Sequence, residues 1–261
     1  MTGVAFVDGE QVAWPGPARI DDPAMAPGLG LFETMRGRGG DIPLVSRHIA
    51  RLITSATALG LRCPPAERLE RFLRPTVSAM GGGDHRVRLM LSDAGQVVIQ
   101  ASPLEIDRTP VRLATVTGPV QAEGFAKHKT TAYLPYVQAR QQAEAVGAEH
   151  ALLVGSGGVV LEADHANIVA AVRGVLVTPS AVDVLPGIVR ALLIKRLRVR
   201  PASLTVTDLR EADAVYAVNA LRGVVSIAAL DGNSFTLKPS VEAALRGALP
   251  ELHESHLVHR T

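Results

Sequence analysis

Val159-Val160-Leu161-Glu162-Ala163-Asp164-His165-Ala166-Asn167-Ile168-Val169-Ala170-Ala171-Val172-Arg173-Gly174-Val175-Leu176-Val177-Thr178 reads as strands broken by turns, and Leu185-Pro186-Gly187-Ile188-Val189-Arg190 follows as a helix start. Short β-branched runs bounded by Gly or polar clusters predict strands. A Pro in the first turn predicts a helix running through Lys195 and Leu197. Ala151–Val154 and Val159–Glu162 form one hairpin across Gly155–Gly158, and Ile168–Val172 and Val175–Thr178 form another.

Working outward, Leu204–Thr207, Ala214–Val218 and Val224–Leu230 read as further strands, before a helix around Ser240–Leu249. Upstream, Leu134–Val146 is helical, Arg112–Val116 is a strand, and the stretch between them is irregular up to Thr130. Val4–Val7 pairs with Gln11–Trp14 across Asp8-Gly9, with Trp14 as a core or interface anchor. Pro15–Gly30 is loop and Leu31–Arg36 a strand. Ile49, Leu52, Ile53, Ala56 and Leu59 recur at helical spacing within Ser46–Leu61, and a second helix covers Pro65–Met80. Strands Val87–Leu91 and Gln96–Ala101 flank the turn Asp93-Ala94-Gly95. The pattern is α/β (α+β). A joint at Pro103–Pro110 divides a small N-terminal domain, 1–108, from a larger one, 109–261.

With 261 residues, 47 % hydrophobic and 20 % charged, the chain can bury a substantial core. A net charge of +2 without a Lys/Arg cluster argues against nucleic acid or a charged membrane surface as partner. No apolar run approaches the ~18–20 residues needed to cross a bilayer, and the N-terminus lacks a signal-peptide pattern. Cys63 is the sole cysteine, which excludes an intramolecular disulfide and suits a reducing cytoplasm.

The chain has four lysines, Lys127, Lys129, Lys195 and Lys238, so there are few candidates for an amine nucleophile. Lys129 lies in Lys127-His128-Lys129-Thr130-Thr131; it is either part of an exposed basic loop or, if buried, an amine whose pKa is lowered for imine chemistry. Glu162 is either a solvated strand end or a carboxylate awaiting a cationic partner. The Leu185–Arg190 helix start offers backbone N–H groups to a phosphate, or merely starts a helix. No metal is expected: His253-x-x-His256-x-x-His259 drifts ~60° per step around a helix and reads as a polar tail. Gly81-Gly82-Gly83-Asp84 is a linker turn.

Together, several segments resemble the class IV aminotransferase family of fold-type IV pyridoxal-phosphate (PLP) enzymes. Gly28-Leu29-Gly30-Leu31-Phe32-Glu33-Thr34 is similar to its GDGxFET segment, and His48-Ile49-Ala50-Arg51-Leu52 to its H-x-x-R-L helix. Lys129-Thr130-Thr131-Ala132-Tyr133-Leu134 resembles K-x-x-N-x-L, and Glu162–Ile168 resembles E-x-x-x-x-N-aliphatic. Leu185–Arg190 fits LPGI[TV]R, and Asn219-Ala220-Leu221 resembles the late N-A-L loop.

The resemblance implies two α/β domains of the D-amino-acid aminotransferase type, a homodimer and PLP as cofactor. Lys129 would form the Schiff base and then shuttle protons; Lys127 is its only near competitor. Glu162 would keep the pyridine nitrogen protonated. Arg51 and the N–H groups of Ile188 and Val189 would hold the phosphate, with the Ala220-Leu221 loop completing the cup and Asn167 also at the cofactor. Tyr133 is a candidate for the 3′ oxygen, or else a core aromatic. Phe32, Thr34, Arg88 and Asn219 are candidates for contact with a small amino substrate.

Three positions depart from the family pattern. Leu29 replaces the Asp of GDG, Ala132 replaces the Asn of K-x-x-N, and Asp93 stands where a substrate-binding Arg is common. The spacing from Lys129 to Tyr133 and the N-A-L loop resemble aminodeoxychorismate lyases and D-amino-acid aminotransferases more than branched-chain enzymes. The expected activity is elimination of pyruvate to give 4-aminobenzoate, as in folate biosynthesis. Transamination of D- or L-amino acids is the alternative, and an inactive binding protein a second.

Overall fold

The structure is a computed structural model that describes residues 3–13, 29–117, 124–180 and 184–253. Contacts divide the chain into two compact units. The first contains described residues 3–13, 29–106 and 128–132, and the second 107–117, 124–127, 133–180 and 184–253. The chain first crosses between units after Ile106. It crosses back for 128–132, so Lys129 belongs with the first unit, which a single boundary after residue 108 did not anticipate.

The first unit contains β1 (Val4–Val7), β2 (Glu10–Val12), β3 (Leu31–Arg38), α1 (Val45–Leu59), α2 (Ala66–Met80), β4 (Asp84–Leu91) and β5 (Val97–Pro103). The strands make one antiparallel sheet in the order β2-β1-β5-β4-β3. Alternation dictates its faces: Val87, Leu89 and Leu91 of β4 are buried, while Arg86 and Arg88 are exposed. Ile49, Leu52 and Ala56 of α1 and Leu69, Phe72 and Leu73 of α2 fill the core against that sheet. Each such buried Leu or Ile side chain contributes about 1.5–3 kcal/mol.

Residues 129–131 join the β3 end of this sheet. Thr130 bridges Leu31, Phe32 N donates to Lys129 O at 2.9 Å, and Thr131 N donates to Gly30 O at 2.8 Å. Gly30 permits the approach, since a Cβ there would lie 2.8 Å from Leu91 O and 3.2 Å from the Thr131 side chain.

The second unit contains β6 (Val111–Thr117), α3 (Leu134–Ala145), β7 (His150–Val154), β8 (Val160–Ala163), β9 (Asn167–Val172), β10 (Val175–Pro179) and α4 (Ile188–Leu197). It continues with β11 (Arg200–Ala202), α5 (Val206–Arg210), β12 (Ala214–Asn219), β13 (Gly223–Leu230), β14 (Asn233–Ser234), α6 (Pro239–Gly247) and α7 (Pro250–His253). Its sheet runs β11-β10-β9-β12-β13-β6-β7-β8, with β14 paired to β13. The β10–β11, β13–β6 and β6–β7 pairs are parallel and the rest antiparallel. Leu113, Leu152, Ile168, Val215, Val225 and Ile227 lie in the core of this unit.

The helix and strand expectations correspond to elements with one reversal. Leu204–Thr207 is not a strand. Thr205 caps α5, accepting from Asp208 N at 3.2 Å while its own N–H donates to Asp208 Oδ2 at 2.7 Å. This capping box outweighs the β propensity of Thr-Val-Thr. Gln11–Trp14 is a strand only to Val12, and β11 was not anticipated. The expectations for Trp14, for the Pro15–Gly30 loop as far as residue 28, for 118–123 and for the tail histidines His256 and His259 lie outside the described residues. Among the described residues, no helix is long and apolar enough to cross a membrane.

Candidate active site

In the first unit, β3 and β4 place three of the anticipated substrate residues on one side of the sheet. Phe32 and Thr34 are two apart on β3, and Arg88 stands directly opposite Thr34. Lys129 Nζ lies 4.3 Å from the Phe32 ring centroid, and the Arg88 guanidinium lies 4.9 Å from the same centroid. One aromatic ring therefore carries both a primary amine and an exposed fixed cation. His128, next to Lys129, is buried with Nδ1 3.0 Å from Ser55 Oγ, which pins the segment to α1.

Glu33 points to the other side of β3, toward α1. Arg51 grips it with both arms of its fork, Nε to Oε1 at 2.8 Å and Nη2 to Oε2 at 2.6 Å, and His48 Nδ1 meets Oε2 at 2.7 Å. Burial alone would raise the Glu33 pKa, but the Arg51 charge and the hydrogen bonds from His48 and Arg51 hold it at about 2. Burial pushes the His48 imidazole down against the pull of Glu33, and the charges of Arg51 and Lys129 act in the same downward direction. Arg51, expected at a phosphate, is thus oriented by a carboxylate that motif reading did not single out.

In the second unit, Glu162 near the end of β8 is buried and held by neutral donors. Asn167 Nδ2 donates to Oε2 at 3.0 Å, Leu185 N to the same oxygen at 3.3 Å, and the Tyr136 hydroxyl to Oε1 at 3.4 Å. Tyr136 was not anticipated; burial, then the Glu162 charge, pushes its pKa up. Tyr133 stacks on Tyr136 with centroids 4.8 Å apart and donates its hydroxyl to Asp164 O at 2.8 Å.

Asn167 also reaches Leu185 O at 3.0 Å, tying β9 to the approach of α4. Gly187 is the N-cap of α4, with no side-chain cap, so the first-turn N–H groups at Ile188 and Val189 have no intrahelical acceptor. A Cβ at residue 187 would fall 1.7 Å from Asn167 Oδ1. This glycine cradle, uncapped helix start and buried carboxylate are a donor and acceptor set suited to a phosphorylated pyridine. The Asn219 loop is shaped internally: Asn219 Oδ1 accepts from Leu221 N at 3.0 Å and Arg222 N at 2.8 Å. Leu29 and Ala132 are exposed, and exposed Asp93 accepts from Ala94 N at 2.8 Å in its turn.

The family model described as Amino-transferase class IV matches residues 30–230. The chain belongs to the class IV aminotransferase family. Enzymes of this family use PLP, and the two sheets above are its fold. The bifunctional aminodeoxychorismate lyase / D-amino acid transaminase of Mycobacterium tuberculosis is 26 % identical over 275 residues, covering 92 % of this chain and 95 % of that protein. The chloroplastic D-amino-acid transaminase of Arabidopsis thaliana is 29 % identical over 187 residues; the match spans 64 % of this chain and only 50 % of the relative. A solved structure of a hypothetical aminotransferase from Mycobacterium tuberculosis in PLP-bound form has a TM-score of 0.87 at 24 % identity, over 96 % of this chain and 99 % of that one.

Proposed function

We propose that this class IV enzyme is a PLP-dependent 4-amino-4-deoxychorismate lyase that releases 4-aminobenzoate and pyruvate, with Lys129 as its catalytic residue. The observation that carries the reading is the shared Phe32 ring, which sets the Lys129 amine and the Arg88 guanidinium within reach of one small molecule bearing both an amine and a carboxylate. Arg88 supplies a cation where Asp93 cannot.

PLP, when bound, supplies a protonated pyridine ring that withdraws electrons from a carbanion. Glu162 maintains that protonation, and Asn167 and Leu185 N orient the carboxylate. The Ile188 and Val189 N–H groups would hold the phosphate, with Arg51, Ala220 and Leu221 proposed as further cofactor-binding residues. Lys129 takes the proton from the amine-bearing carbon and returns one to the departing enolpyruvate. The ring C–O bond breaks and aromaticity drives the step. Tyr133 and Asn219 shape the walls of the site.

Transamination of D-amino acids is the second reading, supported by the double activity named for the Mycobacterium tuberculosis relative. Incubation of the PLP-loaded enzyme with aminodeoxychorismate, and separately with D-alanine plus 2-oxoglutarate, separates the two. Stoichiometric pyruvate and 4-aminobenzoate in the first mixture support the lyase; absence of 4-aminobenzoate overturns it. We further read the enzyme as a cytoplasmic homodimer, in keeping with its single cysteine and with the exposed Leu134 and Val137 on α3. Light scattering tests the dimer.

A further inference from the structure

We infer that His150, Asp164 and His165 form a binding site for a divalent transition-metal ion of the zinc class, separate from the residues assigned above to the cofactor. His150 opens β7, while Asp164 and His165 lie in the turn between β8 and β9, so two distant stretches of chain supply the donors. His165 Nδ1 lies 3.0 Å and His150 Nδ1 3.3 Å from the same oxygen, Oδ1 of Asp164. The two imidazole rings stack with centroids 3.7 Å apart, and one ligand atom from each of the three residues falls within 4.8 Å of the others.

A tetrahedral zinc ion with imidazole and carboxylate ligands at ~2.0–2.2 Å holds its donors about 3.4 Å apart. The two imidazole–carboxylate spacings, 3.0 and 3.3 Å, already lie close to that. Imidazole plus carboxylate is also a donor set that such ions select over magnesium or calcium.

A second observation points the same way. His150 Nδ1 is shut off from solvent, and among the described residues it has no aligned hydrogen-bond partner, its contact with Asp164 being an ion-pair distance only. A buried ring nitrogen left so is unfavourable, and a metal ion would satisfy it. The Asp164 side chain is fully buried, and the two histidines retain 16 % and 17 % side-chain exposure, so an ion could enter and a water could complete its shell.

Arg140 occupies the other Asp164 oxygen, Oδ2, and leaves Oδ1 facing the imidazoles. Its charge opposes a bound cation. At 39 % exposure its guanidinium is partly screened by solvent and able to swing away. The site would clip β7 to the 163–166 turn, where Ala163 and Ala166 pair between Glu162 and Asn167. Its role is therefore structural, holding the hairpin that carries those two residues.

The test uses PLP-loaded enzyme stripped by chelator and titrated with Zn²⁺ and Co²⁺, read by calorimetry, metal analysis and thermal melting. One equivalent should bind and raise Tm. Asp164→Asn and His150→Gln should each weaken binding at least roughly tenfold, with folding checked by circular dichroism. Arg140→Gln, which keeps all three ligands, should tighten it. Replacing His253, His256 and His259 together by Ala should leave it unchanged. Failure of the stripped enzyme to take up either ion overturns the proposal. So does uptake that survives Asp164→Asn and disappears with the tail substitutions.

Discussion

Lys129 and Phe32 are coupled twice: Phe32 N donates to Lys129 O at 2.9 Å, and Lys129 Nζ stands 4.3 Å from the Phe32 ring centroid. The backbone bond fixes where the lysine leaves the chain, and the ring gives its amine an electron-rich face. A cation over such a face gains about 0.5–2 kcal/mol. Phe32→Leu keeps much of the apolar volume and removes the face. We expect PLP uptake to persist and kcat to fall about tenfold, a loss of the size that interaction implies. An unchanged kcat in steady-state assays would show that the ring does not position the amine.

Arg88 is exposed on β4 and its removal leaves the core intact. Arg88→Ala should raise KM for a carboxylate-bearing substrate by about 10–100-fold, the worth of a charge-assisted hydrogen bond, with Tm almost unchanged. A KM equal to that of the parent enzyme would remove Arg88 from substrate recognition.

Gly187 leaves no room for a side chain beside Asn167. Gly187→Ala should cost about 1–3 kcal/mol through overpacking, lowering Tm by several degrees, and weaken PLP binding. Adding Asn167→Ala should relieve the clash and recover part of the lost Tm, while PLP affinity stays low because Glu162 has lost its Asn167 donor. Full recovery of PLP affinity in the double variant would assign Gly187 and Asn167 to packing alone.

Glu33 makes the fold sensitive to acid. Its carboxyl is held at about 2 in the folded protein against an ordinary value of 4.5. A depressed folded pKa means that stability is fully present above 4.5 and is lost as pH falls from there through about 2. The Asp164 pKa is also low: burial would raise it, but the neighbouring imidazoles of His150 and His165 more than compensate, so it adds to the same trend. Urea midpoints should drop between pH 5 and pH 2.5, and Glu33→Gln should flatten part of that slope at a cost of about 3 kcal/mol at pH 7. A slope identical in parent and variant would contradict the Arg51–Glu33 assignment.

Much of this was legible in sequence because backbone-driven features announce themselves locally. Pro186-Gly187 marks a helix start wherever it packs, and Glu162 and Asn167 lie five apart across one tight turn. His48 and Arg51, three apart, share one face of a helix, so their pairing with some partner could be expected. That partner, Glu33, sits on a strand and becomes visible only when β3 packs on α1. Tyr136 was hidden for the same reason, as was the meeting of His150 with Asp164. Neither pair has a spacing that periodicity can read. Thr205–Asp208 differs, since its capping box was present in the sequence and the β-branched run masked it.

The central claim is that Lys129 holds PLP. Borohydride reduction of the yellow holoenzyme, followed by proteolysis and mass spectrometry, should place a phosphopyridoxyl group on Lys129 and leave Lys127 unmodified. The label on Lys127, or a protein that takes up no PLP, would contradict the account.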